Sequence, residues 1–371
     1  MTSRSSEILS AAIMQASDTC YAVPGYPVTE LAGMCNAEYV LNEKIALEYA
    51  LGDSLSGRRS TVIVKNAGMN ILSDPLTVAT VQGIRAGVVI IAGDDTELSA
   101  SQTRQNSARF GDLADVPVFE PGADEVHLII ESAMQSSETY SRVAVIRITA
   151  PCLYTDVEQL PLPERRSSSG QLSPDSLTTR GMCEHAENIT AQMKHGKPDP
   201  QKTPESYRQA GYITTFCRHC PYKPLLSLLQ KKNQKVIADT GCSLLAKKPP
   251  YSLSVANYGL GSSPAVAAKS TKISLCGDYA VLHSGLNALI DIAEKGHSLL
   301  CIILQNGTLA MTGGQVCPDI MPYLSCFHPR IIPADDTLTL EKELAAEPDG
   351  LKILILSGTC PNEENHETMP Y

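Results

Sequence analysis

Short, almost wholly apolar runs at Cys20–Val23, Ser60–Lys65, Gly87–Ala92 and Arg142–Thr149 alternate with stretches of helical period at Glu7–Ala16, Asn42–Leu55, Asp74–Arg85 and Asp124–Met134. A strand that is apolar at nearly every position is covered on both faces, which is the mark of a parallel sheet with helices on either side. The alternation resumes after Arg208. There it predicts helix Pro224–Lys232, strand Lys235–Asp239, helix Pro264–Ala268, strand Lys272–Cys276, helix Leu286–Lys295, strand Leu299–Leu304, helix Leu338–Ala346 and strand Lys352–Leu356. Between Glu158 and Arg208 the composition shifts to Ser, Pro, Lys, Arg and His, with Arg165-Arg166-Ser167-Ser168-Ser169-Gly170 at its start and little apolar period. Such a stretch predicts a long mobile linker carrying a solvated basic patch. The expected organisation is therefore α/β throughout, with domains over 1–155 and 211–371 and a linker over 156–210.

Composition narrows the function. The 371 residues carry 30 Lys and Arg against 40 Asp and Glu, a formal charge of −10, where a nucleic-acid or membrane-surface protein would show a basic footprint. No apolar run approaches the roughly 18 residues of a membrane span, and Met1 to Gln15 lacks the pattern of a signal peptide. A soluble cytoplasmic protein is expected. Twelve cysteines are many for such a chain, so metal or redox chemistry stands beside the simpler reading of small buried thiols, to which Cys20, Cys152, Cys276 and Cys301 belong by their apolar surroundings.

The chemistry concentrates at two places. Gly277-Asp278-Tyr279 ends one predicted strand and Gln305-Asn306-Gly307-Thr308 ends the next, which puts Asp278 and Asn306 at the carboxyl edge of neighbouring strands, where open α/β sheets bind ligands. An Asp carboxylate, an Asn carbonyl and the backbone carbonyl near Thr308 are oxygen donors suited to Mg²⁺ on a diphosphate; an ordinary strand end is the other reading. In the first half, Glu43 opens a predicted helix, where a carboxylate is also favoured simply by the macrodipole.

Taken together the wording resembles a known family. Val23-Pro24-Gly25-Tyr26-Pro27, Asn42-Glu43-Lys44-Ile45-Ala46-Leu47-Glu48-Tyr49-Ala50-Leu51-Gly52, Lys65-Asn66-Ala67-Gly68-Met69-Asn70, Ala92-Gly93-Asp94-Asp95 with Ser101-Gln102, the segment from His283 to Ile290, and Ala310-Met311-Thr312-Gly313-Gly314-Gln315 closely resemble the large subunit of indolepyruvate ferredoxin oxidoreductases, in the thiamine-diphosphate superfamily. The resemblance runs over roughly residues 10–155 and 212–361. It implies a pyrimidine-binding first domain and a diphosphate-binding second one, with Glu43 as the carboxyl that activates the aminopyrimidine. It further implies cofactor contacts from Pro24, Gly25, Tyr26, Asn66, Gly68, Thr240, Gly241, Gly259, Gly277, Asp278, Tyr279, Asn306 and Thr308. Mg²⁺ would rest on Asp278, Asn306 and Thr308, and His283 would be a second catalytic candidate. Asn66 stands where relatives often carry His. Tyr279 stands where the superfamily's third residue is often Gly.

The same resemblance gives Cys217, Cys220, Cys242 and Cys360 as holders of a single 4Fe–4S cluster; zinc or free thiols remain alternatives, and Cys317 or Cys326 could replace Cys360. The implied activity is oxidative decarboxylation of an aryl 2-oxo acid. The acyl group would pass to coenzyme A and the electrons to ferredoxin or a second subunit, in a homodimer or higher oligomer. The middle domain and the C-terminal ferredoxin-like module of the usual large subunit are not in this sequence. A non-oxidative 2-oxo acid decarboxylase and a catalytically idle subunit of a larger complex are therefore the rival expectations.

Overall fold

A computed structural model of the chain describes residues 2–197, 206–207, 211, 213–361 and 368–369. Two units emerge, Met1–Ser173 with His185–Gln201, and Pro174–Glu184 with Lys202–Tyr371.

In the first unit, β1 (Thr19–Ala22), β2 (Glu38–Tyr39), β3 (Ser60–Lys65), β4 (Val88–Asp94), β5 (Val118–Phe119) and β6 (Ala144–Thr149) form one sheet in the order β2-β1-β3-β4-β6-β5. Every pairing is parallel, with Ile63 opposite Ile91 and Ile91 opposite Ile146. All seven residues of β4 are buried, as an all-apolar strand covered on both faces should be. Helices α1 (Ser5–Ala16) and α4 (Val126–Tyr140) pack on each other, and Leu9, Ile13, Ile130 and Met134 close over Ile91 and Ile146. Helices α2 (Glu43–Leu55) and α3 (Gly68–Gln82) pack together as a second pair.

Helix α3 starts six residues before the predicted Asp74. The Asn and Gly of Asn66-Ala67-Gly68 read as a loop, yet Pro75 is accommodated inside the helix. Its end is fixed by Gly83, whose φ is +79° and where a Cβ would run into the carbonyl oxygen of Gln171. The two-residue strands β2 and β5 escaped the apolar pattern because such short segments show no period.

The stretch expected to be a mobile linker is anchored instead. The Arg165 guanidinium donates to both carboxylate oxygens of Asp18 at 2.7 and 2.8 Å, Arg166 N donates to Glu131 at 3.0 Å, and Ser173 N donates to Gln82 O at 2.9 Å. Beneath it Arg59 is buried and donates to Glu131 and Glu138, so the run of small polar residues covers a buried ion network. A further helix, α5 (Thr179–His195), follows. Residues 198–205, 208–210 and 212, part of the expected linker and its border, lie outside the described residues.

In the second unit, β7 (Ile237–Ala238), β8 (Ile273–Gly277), β9 (Leu299–Gln305), β10 (Arg330–Pro333) and β11 (Leu351–Ser357) form a parallel sheet in the order β7-β8-β9-β11-β10. Helices α6 (Lys223–Lys231), α7 (Ser263–Ala268), α8 (Leu286–Glu294) and α9 (Thr337–Glu343) accompany it. Leu225, Leu229 and Leu340 pack on Leu275, Ile302 and Leu354. The largely exposed edge strand β10 was not anticipated. Among the described residues no helix is long and apolar enough to cross a membrane.

Candidate functional site

Parallel strands deliver all their carboxyl ends to one edge, so residues far apart in sequence converge there. In the second unit the chain leaves β7 into Asp239-Thr240-Gly241, β8 into Asp278, β9 into Asn306-Gly307-Thr308, and β11 into Gly358-Thr359-Cys360. Together these exits line a cleft of about 650 Å³. Gly241 (φ +114°) and Gly307 (φ +69°) turn the chain there, and a Cβ on either would meet nothing within 4 Å, so backbone faces open space. A hairpin flap follows Gly307. Leu309 N donates to Gln315 O at 2.9 Å, Cys317 N donates to Gly307 O at 2.9 Å, and Leu309 to Gly314 form a wall of the cleft.

Asp278 anchors this edge and is 4% exposed. One carboxylate oxygen accepts from Asn306 N at 3.2 Å and Gly307 N at 2.9 Å; the other accepts from Tyr279 N at 2.8 Å. The Asn306 side-chain oxygen accepts from Thr308 N at 3.3 Å. Three backbone amides thus brace the Asp278 carboxyl at this edge. Hard oxygen donors beside open, glycine-turned backbone fit a magnesium-bound diphosphate.

Thr240, Gly241, Gly277, Asp278, Tyr279, Asn306 and Thr308 are thus brought together, and so are Cys217, Cys220, Cys242 and Cys360, which line the same cleft. Burial, reinforced by the neighbouring thiols, pushes Cys242 up to about 12, and burial pushes Cys220 up to about 11. None of the twelve cysteines forms a disulfide; Cys276 and Cys301 are fully buried and Cys20 and Cys152 half-buried. Among the described residues, no three or more His, Cys, Asp and Glu side chains are arranged to hold a metal ion. Gly259 and His283 do not line the cleft; His283 is exposed, its ring 6.2 Å from that of Tyr279. Sequence reasoning missed the apolar wall of Phe216, Tyr222, Leu304 and Met311. It also missed the closeness of Cys317 to Asp278, which with burial pushes that thiol up to about 12.

In the first unit, Pro24, Gly25 and Tyr26 follow β1, and Asn66 and Gly68 follow the adjacent β3. Glu43 begins α2, just after β2 on the other side of β1. The Asn42 side chain accepts from Ile45 N at 3.0 Å and so fixes where α2 starts. Glu43 lies directly over Gly68, where a Cβ would stand 2.7 Å from its Cγ and Oε1. Asn66 is buried; its side-chain oxygen accepts from Ala67 N at 2.7 Å, and its amide donates to Thr103 O at 3.2 Å. A half-buried carboxyl held at a sheet edge by a capped helix start is fit to hold a proton against a ring nitrogen.

Residues 226–331 match a family model described as the C-terminal TPP binding domain of thiamine pyrophosphate enzymes. The chain is similar to the indolepyruvate oxidoreductase subunit IorA of Methanothermobacter thermautotrophicus, 32% identical over 149 residues, which are 38% of this chain and 24% of that protein. It is also similar to the subunit of that name from Pyrococcus abyssi, 30% identical over 138 residues, 34% of this chain and 21% of that protein. The match thus spans about a quarter of the length of these relatives. They bear out the resemblance drawn from the motifs. Among solved structures, the thiamine diphosphate-dependent 4-hydroxybenzoylformate decarboxylase of Rhodococcus jostii RHA1 superposes with a TM-score of 0.68 at 15% identity, covering 98% of this chain and 100% of that one. The benzoylformate decarboxylase of Polynucleobacter necessarius gives 0.66 at 12% identity, covering 96% and 98%. At such identities what is shared is the fold, α/β with parallel sheets flanked by helices.

Proposed function

We propose that this chain binds thiamine diphosphate and Mg²⁺ and decarboxylates a 2-oxo acid with an aryl or similarly bulky side chain. The observation that carries this reading is the buried Asp278, braced by the backbone of Asn306 and Gly307 inside a cleft at a parallel sheet's carboxyl edge. Asp278, Asn306 and the Thr308 carbonyl would hold the metal, with Thr240, Gly241, Gly277 and Tyr279 near the diphosphate. Bound there, the cofactor supplies a nucleophilic carbon and an electron sink for decarboxylation. Glu43, seated on Gly68, would keep a proton at the pyrimidine ring nitrogen, supported by Pro24, Gly25, Tyr26 and Asn66. We assign that carboxyl to a second copy of the chain, so the working unit is at least a dimer.

The relatives' name favours an oxidative outcome, with coenzyme A taking the acyl group and ferredoxin or a second subunit taking electrons. Four thiols opening on one cleft are suitable donors for a 4Fe–4S cluster. Among the described residues these thiols are not gathered into a ligand set, and this arrangement favours a second reading, decarboxylation without oxidation. Anaerobic release of carbon dioxide from phenylpyruvate, with and without coenzyme A and an oxidised viologen dye, separates the two. The shared premise is tested by calorimetry. Thiamine diphosphate with Mg²⁺ should bind the native chain and bind Asp278→Asn at least about tenfold more weakly, the loss expected for one charged ligand. No binding to the native chain would overturn it.

A further inference from the structure

Strand β3 ends in Lys65, at the same sheet edge as Glu43. The stem of Lys65 lies across Gly25, where a Cβ would stand 2.7 Å from Lys65 Cδ. Its ammonium donates to the side-chain oxygen of Gln102 at 3.2 Å. Gln102 belongs to a loop that is itself fastened down: Asp95 accepts from the backbone of Ser99, Ala100 and Ser101 at 2.9, 2.8 and 2.9 Å, and the Gln105 amide donates to Asn66 O at 2.9 Å. The neighbouring cations are already committed, Lys44 to Glu48 and Asp74, and Arg147 to Asp94 and Glu120. Lys65 has no carboxylate partner among the described residues. The residue is half-buried through its stem while the ammonium stands at the surface on a neutral amide, and a carboxylate offers it the stronger, charge-assisted bond.

We propose that Lys65 is the group that receives the substrate's carboxylate, with Gln102 holding the ammonium in place until the acid arrives. This rests on the reading of the chain as a 2-oxo acid enzyme and names the residue that would select an anionic substrate. Gln102 sets the charge balance: Gln102→Glu would hand Lys65 an internal carboxylate and make the site indifferent to an acid.

The test uses the full chain loaded with Mg²⁺ and thiamine diphosphate, with phenylpyruvate and its methyl ester as probes titrated by calorimetry. The native chain should prefer the acid to the ester by about tenfold or more, the worth of a charged hydrogen bond. Lys65→Met and Gln102→Glu should each abolish that preference, Lys65→Arg should keep most of it, and cofactor affinity should stay within about twofold in all three, on the premise that neither residue touches the cofactor. Equal binding of acid and ester by the native chain, or a preference that survives Lys65→Met, would overturn the inference. Loss of cofactor binding by the native chain would instead overturn the function on which it rests.

Discussion

Glu43 is the residue whose neighbours leave it least choice, lying on a glycine that no other side chain can replace without displacing it. Its carboxyl and the amide of Gln have nearly the same shape, but the amide cannot exchange a proton. Glu43→Gln should therefore fold normally and bind Mg²⁺ and cofactor within a few-fold, while turnover falls by about 10²-fold or more, the typical reach of acid–base catalysis. Steady-state kinetics beside calorimetry check this. Asp278 and Asn306 could be read from sequence because each ends an apolar strand, which fixes both its depth and its edge. Cys317 could not, since it reaches Asp278 only through the return of a hairpin flap. Lys247 carries a different signature. It is 2% exposed, and burial, helped by the charge of Lys248, lowers it from 10.5 to about 8. The folded state thus gives up this proton before the unfolded one does. The resulting penalty is fully present below pH 8 and shrinks as pH rises toward 10.5, on the order of 3 kcal/mol at its largest. Lys247→Met should be more stable than the native chain in urea at pH 7 and nearly equal to it at pH 10; the same margin at both would refute this origin.

At the scale of elements, the long buried strands β3, β4 and β9 were legible because an apolar residue at nearly every position has one structural meaning. Helix α5 was not, although Met182, Ala186, Ile189 and Met193 recur at helical spacing, because the Ser, Pro and Lys around them dominated the composition. Strand β7 shrank from the predicted Lys235–Asp239 to two residues, its flanking Val236 pairing instead outside the sheet, with its N donating to Leu253 O at 3.2 Å and its O accepting from Val255 N at 3.0 Å. Capping links an element directly to the chemistry. With Asn42 as the residue that fixes the start of α2, Asn42→Ala should lower stability by about 1 kcal/mol. It should also lower turnover, because the first helical residue is Glu43. Asn42→Asp should restore both. An alanine variant with reduced stability and unchanged turnover would show that the first turn holds Glu43 without its cap.

At the scale of the whole molecule, the residues proposed for catalysis are divided between the carboxyl edges of the two units' sheets, and neither edge holds all of them. If Glu43 serves the cofactor held by a second copy, two dead variants can repair each other. In a mixed dimer of Glu43→Gln and Asp278→Asn, one site collects both lesions and the other collects none. Random mixing in equal amounts makes half the dimers mixed, so about one quarter of native activity should return for such a symmetric assembly. Were Glu43 and Asp278 of one chain to serve the same cofactor, every site would keep one lesion and mixing would restore nothing. The measurement is the activity of co-refolded variants against each alone. It decides whether association is a requirement of catalysis or only an accompaniment, because a purely structural dimer would form equally well and stay silent.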